Sequence, residues 1–294
     1  MTPARAVYIT SRLKTSYMFI LMLIIFSTVT FPLFAKQNHD DDSTHHSTSV
    51  YKDVNLVFGG GFQYGIYRDN GVAPFCFKGL SVAPSFGLTY GDSYHTRFSI
   101  TSTTSIGIYE DELPPLLNFS AYDIHNTISV NLLFPIKKCV KDLWIGGAIT
   151  NFMDIAVNPN YENASVGISE FLGPEIVARL YQCPPTNRNA IIFHEELRLM
   201  PFAAVLRPGY AYIDNYTSRQ PVLAALFDDY EWSMKFLAGI ATDIGFDIKT
   251  GRGNRICVSY RWCYYSSGNS GQWRFDHATH LINIDFVFNL RSRT

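Results

Sequence analysis

The sequence predicts an all-β protein: a transmembrane up-and-down antiparallel β-barrel of about ten strands, within a range of eight to twelve. Three features of the chain point to it. From Tyr51 onward hydrophobicity alternates with a period of two, and only 219–230 has any helical character. Many alternating segments exceed the five or six residues typical of globular strands and reach the roughly 9–11 that a tilted bilayer crossing requires. The connections also differ in length by turns. Those after even-numbered strands are short, "GDSYH", "KKCVKD", "CPPTNRN" and "KTGRGN". Those after odd-numbered strands, 69–79, 109–122, 157–164, about 205–230 and 266–274, are longer. Short turns at one end and long loops at the other is a membrane-barrel layout, and it places both termini on the periplasmic, short-turn side.

The elements follow in order. Residues 1–35 read as a secretory signal: Arg5, Arg12 and Lys14, then the apolar run from Met18 to Phe31, then a small residue at Ala35. Residues 36–50, "KQNHDDDSTHHSTSV", are polar and without periodicity, which predicts a disordered linker whose acids and His39, His45 and His46 hold a metal only weakly. The barrel is expected over 51–294. Strand patterning is present with local breaks around 54–67, 80–91, 143–157, 165–181 and 190–200. Elsewhere it is clean. Ile100, Ile106 and Ile108 oppose Ser99, Thr101 and Ser105, and Ile128, Val130, Leu132 and Phe134 oppose Thr127, Ser129 and Asn131. Met234 to Ile248 alternates, with Lys235, Leu237, Gly239, Ala241, Asp243, Gly245 and Asp247 on the polar face. Ile256 to Tyr264 and "HLINIDFVFNL" repeat the pattern. Glu195 falls on the apolar side of its segment, which predicts a bulge or register change nearby.

Composition narrows the function. Charged residues are 17% and aromatic residues 15%, against about a quarter charged in ordinary soluble domains. A net charge of −1 leaves no basic face for nucleic acid. The five cysteines, Cys76, Cys139, Cys183, Cys257 and Cys263, lack the C-x-x-C spacing of a structural zinc site. Cys139 and Cys183 sit on neighbouring short turns of one expected end, where an oxidising periplasm permits a disulfide. "FGGGFQYG" lies in a strand and not before a helix, so it is no phosphate loop. Its glycines fit tight curvature or room for a neighbouring inward side chain. Nothing in the pattern calls for a cofactor or a metal centre.

The signal-like start, the alternating strands and the aromatic segment "INIDFVFNL" resemble the bacterial outer-membrane β-barrel proteins. The likeness covers roughly 51–294 and is one of architecture. It departs in one respect: Phe288 is followed by "NLRSRT", whereas such barrels commonly end on the aromatic. The resemblance implies outer-membrane location, lipid as the principal partner, and small solutes or a surface or periplasmic protein as others.

Three groups of residues are candidates for chemistry. Facing inward are Arg97, Glu175, Arg179, His194, Glu196, Arg198, Lys235, Asp243, Asp247, Arg261 and Asp285, with both signs in similar numbers. Inside about ten strands there is little more space than the side chains fill, so these charges are expected to pair with one another. Asp243 and Asp247 have Arg261 and Arg198 as expected partners. At the extracellular mouth Asp123, His125, Asp214, Asp228, Asp229, Glu231, Asp276, His277 and His280 gather. Their residue types are similar to those with which the omptin proteases, also ten-stranded barrels, activate water through a His–Asp pair. The stretch "SYRWCYYSSGNSG" resembles a strand end of the outer-membrane lipid A deacylases, but Cys263, Tyr264 and Tyr265 stand where a His is needed, and its aromatics suit an interfacial girdle. Two function classes follow: a narrow channel or plugged surface scaffold, or a hydrolase at the rim. In a third arrangement, a secreted β-sandwich, the apolar faces would pack on one another.

Overall fold

A computed structural model of the chain describes residues 53–70, 76–91, 97–111, 120–136, 143–157, 166–182, 191–208, 230–251, 254–268 and 274–290. Residues 1–35, expected to be a secretory signal, residues 36–50, expected to be a linker, and both Cys139 and Cys183 lie outside them. The described residues form β1 (Asp53–Asp69), β2 (Cys76–Gly91), β3 (Arg97–Asp111), β4 (Ser120–Pro135), β5 (Leu143–Val157), β6 (Val166–Gln182), β7 (Ile191–Pro208), β8 (Tyr230–Gly251), β9 (Asn254–Ser267) and β10 (Phe275–Asn289). Each strand pairs antiparallel with its chain neighbours, and β1 closes on β10 from Asn55↔Asn289 to Asp69↔Phe275. Closure removes the free edges of the sheet, so most ladder carbonyls and amides have a partner without water.

The period-two pattern becomes a division between outside and lumen. On β10, Ile282, Ile284, Phe286 and Phe288 point out and are exposed, while Leu281, Asn283 and Val287 are buried inside. The same alternation exposes Phe62 (75%), Leu80 (70%), Ile106, Ile128, Val130, Ile149 and Ile176. A continuous apolar belt of this size is far beyond what a water-soluble surface carries, and lipid tails are its solvent. Polar groups on the outward face bond one another: Tyr260 with His280 at 2.7 Å, Asn126 to Thr104 at 2.7 Å, and Asn151 with Glu170.

The lumen is filled by three packed clusters. Leu133, Trp144, Ala148 and Val177 lie toward the proximal end, where β1 starts and β10 ends. Phe152, Phe171, Met200, Tyr265 and Phe275 form the middle cluster, with the Phe152 and Tyr265 rings stacked at 4.2 Å. Tyr67, Phe77 and Tyr109, with Ala121 and Ala156, fill the distal end. Glycine makes room at two places. A Cβ at Gly65 would overlap the Tyr109 ring, and one at Gly59 would overlap the Asp285 carboxylate. That matches the sequence reading of "FGGGFQYG".

Two expectations change. The strands run further toward the distal end than alternation indicated, because Tyr67, Phe77, Tyr109 and Ala121 keep packing inward there. The connections 70–75 and 268–274 are consequently close in length to 92–96 at the other end, and only 209–229 separates its strands by a distinctly longer stretch. The second change is at the β7–β8 pairing. The register shifts between Met200 and Phe202, where Pro201 opposes both Leu237 and Ala238. Leu237 takes φ 52°, a left-handed conformation that costs a non-glycine residue about 1–2 kcal/mol, and its side chain is exposed, not inward. Beyond this bulge Tyr230–Phe236 pairs with β7, while the β9 pairing starts only at Gly239. The irregularity expected near Glu195 thus sits six residues further along β7.

Replacing Ile282, 61% exposed and at the middle of β10, with Arg should lower stability by about 2–4 kcal/mol in urea unfolding from lipid vesicles. A neutral result would place this belt in water. Gly65→Ala should cost about 1–3 kcal/mol in the same assay, since the Tyr109 ring has to move.

Candidate functional site

The inward charges of β6 to β9 form one ion-paired network. Glu175 accepts from Thr150 at 2.7 Å and from Arg198 at 3.0 Å. Glu196 takes both Arg198, at 2.5 Å, and Arg179. Asp243 pairs with Arg261 at 3.0 Å and with His194 at 3.2 Å. Asp247 lies 3.7 Å from His194 and 3.3 Å from Arg255. Arg97 donates to the Tyr181 hydroxyl and stacks over the Trp144 ring at 5.6 Å. The placement follows from register, because Glu196↔Asp243 and Asp243↔Arg261 are directly opposed across their strands. Charges taken out of water need such contacts, and each anion here has at least two.

Of the eleven inward residues expected from the sequence, nine belong to this network or stack against it. Two stand apart. Lys235, near the distal end, donates to the Gly268 carbonyl at 3.3 Å, and Asp285 is held by Ser85 at 2.5 Å and Asn283 at 2.8 Å. The pairing differs in detail too. Arg198 serves Glu175 and Glu196, and the cation on Asp247 is Arg255, which the alternation had not singled out. Between this network and the aromatic cluster lies a cavity of about 30 Å³, lined by Thr101, Thr127, Glu175, Arg198 and Tyr265 among others. That is room for one or a few waters.

The residues expected at the mouth divide. Asp214, Asp228 and Asp229 lie outside the described residues, and Glu231 is in the first turnless stretch of β8. Asp276 and His280 face outward on even-numbered positions of β10, bonded to Tyr264 and Tyr260 on β9. Asp123, His125 and His277 are deep in the lumen near its distal end, and Asp154 joins them. All four are almost fully buried. His125 Nδ1 lies 3.1 Å from Asp123 Oδ2, and His277 Nδ1 lies 3.6 Å from Asp154 Oδ1. The two imidazoles meet edge to face, with ring centres 4.9 Å apart. Gln63 bonds His125 Nε2 at 3.1 Å and in turn donates to Ser105 Oγ at 3.3 Å. Asp154 escaped the sequence reading because "NFMDIAV" looks like an ordinary strand end. The signal that could have found it is its inward parity, shared with Phe152 and Thr150, and its register opposite His125.

Polar chemistry therefore occurs at two depths, separated by aromatic rings. The proximal network sets five guanidinium groups against four carboxylates, and each carboxylate has a guanidinium partner. The distal group differs: Asp123 Oδ1, Asp154 Oδ1 and both ring nitrogens of His277 are buried without a hydrogen-bond partner.

No protein-family model matches the sequence, and no curated protein matches it. Solved structures do match in fold. The outer membrane protease OmpT of Escherichia coli aligns over 83% of this chain and 100% of its own, with a TM-score of 0.53 and 5% identity. The Neisserial surface protein A, NspA, aligns over 80% and 97% with a TM-score of 0.30 and 9% identity. The transport unit of the autotransporter AIDA-I from Escherichia coli aligns over 89% and 98% with a TM-score of 0.38 and 10% identity. At such identities the likeness is one of fold. The chain has the closed, all-antiparallel barrel fold of bacterial outer-membrane proteins.

Proposed function

We propose that the protein is an outer-membrane barrel plugged by its own side chains, serving as a surface scaffold or interaction protein and not as an open channel. The observation that carries this reading is the filled lumen, in which the stacked Phe152 and Tyr265 rings lie beside the Glu175–Arg198–Glu196–Arg179 ion pairs. A conducting path needs continuous water, and the cavity beside Glu175 and Arg198, of about 30 Å³, has room for one or a few waters. In this reading residues 1–35 direct export and are removed, 36–50 is a linker, both termini are periplasmic, and the 209–229 connection meets partners outside the cell.

A second reading, a hydrolase at the distal end, is favoured by one observation: two His–Asp pairs share that part of the lumen. The fold it shares with an outer-membrane protease is consistent with it. Against it, Tyr67, Phe77 and Tyr109 pack at the same end of the lumen, and all four residues are buried from a polymeric substrate.

Planar-bilayer recording separates plug from pore. The wild-type protein should give no stepwise currents, and the combined Phe152→Ala, Phe171→Ala and Tyr265→Ala variant should give them. Steady wild-type conductance would rule out the plug. Cleavage of peptide substrates by wild-type protein, abolished in Asp123→Asn, would instead establish the hydrolase. The plug also has an energetic signature. Glu196→Ala leaves Arg179 without its carboxylate partner and Arg198 with Glu175 alone, and should lower stability by about 3–5 kcal/mol in urea titration of the detergent-folded protein.

A further inference from the structure

The distal group of Asp123, His125, Asp154 and His277 is built differently from every other polar cluster in the lumen. One ligand-capable atom from each residue lies within 4.8 Å of all the others. The residues come from β4, β5 and β10, so their convergence is a product of the closed barrel and not of local sequence. His277 is 1% exposed and ringed by Phe152, Phe275 and Tyr67, at 5.3, 6.1 and 6.2 Å between ring centres. A neutral imidazole must donate from one nitrogen and accept at the other, yet neither nitrogen has a partner. Two facing carboxylate oxygens, Asp123 Oδ1 and Asp154 Oδ1, have no donor either. A cation placed among these converging acceptors would satisfy the carboxylate oxygens and the imidazole together.

We infer that these four side chains bind a divalent first-row transition-metal ion. The donor set of two imidazole nitrogens and two carboxylate oxygens suits zinc, manganese or ferrous iron, and the absence of thiolate from the set disfavours cuprous ion. Bond lengths of about 2.1 Å put neighbouring ligand atoms about 3.0–3.4 Å apart and opposite ones about 4.2 Å apart. The separations of 3.1 Å between His125 Nδ1 and Asp123 Oδ2, and 3.6 Å between His277 Nδ1 and Asp154 Oδ1, fall near that range. The four ligand atoms lie within 4.8 Å of one another, against about 4.2 Å for opposite ligands of one ion.

The surroundings fit a ligand sphere as well. A metal-bound imidazole is held by a hydrogen bond from its other nitrogen, which fixes tautomer and ring orientation. With Nδ1 of His125 on the ion, Nε2–H donates to Gln63 Oε1 at 3.1 Å. Gln63 Nε2 donates to Ser105 Oγ, and Ser105 donates to Ser81 Oγ at 2.6 Å. Gln63 is thus a positioning residue for the site. The other cluster with ligand-type residues, His194, Asp247 and Cys257, has its carboxylate already paired with Arg255 and carries no such claim.

The test uses the full chain folded into detergent with Zn²⁺, freed of loose metal, and analysed for metal content. The result expected is one zinc per chain, retained when His39, His45 and His46 in the linker are all changed to Ala. X-ray absorption should report only nitrogen and oxygen ligands, with two imidazoles. His277→Gln and Asp154→Asn should lose the stoichiometric zinc while keeping the heat-modifiable migration of a folded barrel, and Gln63→Leu should weaken affinity about 10–100-fold. Wild-type protein without stoichiometric zinc, zinc lost with the linker histidines, or zinc kept equally by folded His277→Gln and Asp154→Asn would each overturn the proposal. Should those variants fail to fold, the metal content and absorption spectrum of the wild type and the linker variant decide it. Because conductance is not read, the outcome is independent of whether the barrel is plugged.

Discussion

A ten-stranded barrel encloses about as much width as the side chains that point into it, and this shortage of space governs the rest of the molecule. Any inward residue larger than average needs a smaller one beside it, which is why Tyr109 faces Gly65 and Asp285 faces Gly59. Any inward charge is denied bulk water, so Glu175, Glu196, Asp243 and Asp247 each sit against a guanidinium. The same rule acts on the opposite surface for a different reason. Lipid offers no hydrogen bonds, and the outward polar side chains Tyr260, His280 and Asn126 bond their neighbours.

Much of this was legible in the chain because a period of two survives from sequence to structure without distortion. In β10 and β9 each odd or even position has the same face throughout, and the inward placement of Asp243, Asp247, Arg261 and Asp285 follows from parity alone. Parity fails where pairing geometry intervenes. Leu237 is apolar and odd-numbered, and nothing local marks it as the bulged residue. The cause is Pro201 on the neighbouring strand, which cannot donate to the ladder. Partner identity was harder to read than facing. Parity says that Arg198 and Arg255 are candidates for any acid in the lumen, but only the stagger between strands assigns Arg255 to Asp247.

The distal cluster lay at the limit of what a sequence can reveal. His125 and Asp123 are two apart on β4 and share a face by rule. His277 is more than 150 positions away; the sequence places it at the extracellular mouth by loop position and residue type, whereas the structure buries it in the lumen. What turned an assortment of acids and histidines into a group was the bending of the sheet into a cylinder. It sent Asp276 and His280 to the outside and brought His277 and Asp154 face to face.

The two polar clusters also differ in when they can exist. The pairs joining Arg179, Glu196, His194, Asp243 and Arg261 connect consecutive strands from β6 to β9, so a half-built, still open sheet can already contain them. The contacts of Gln63 with His125 and of His277 with Asp154 join strands three and five apart around the barrel, so they form across the lumen only when the sheet has curled into a cylinder. The first group is therefore an early fastening of one wall, and the second a latch that registers completion of the cylinder.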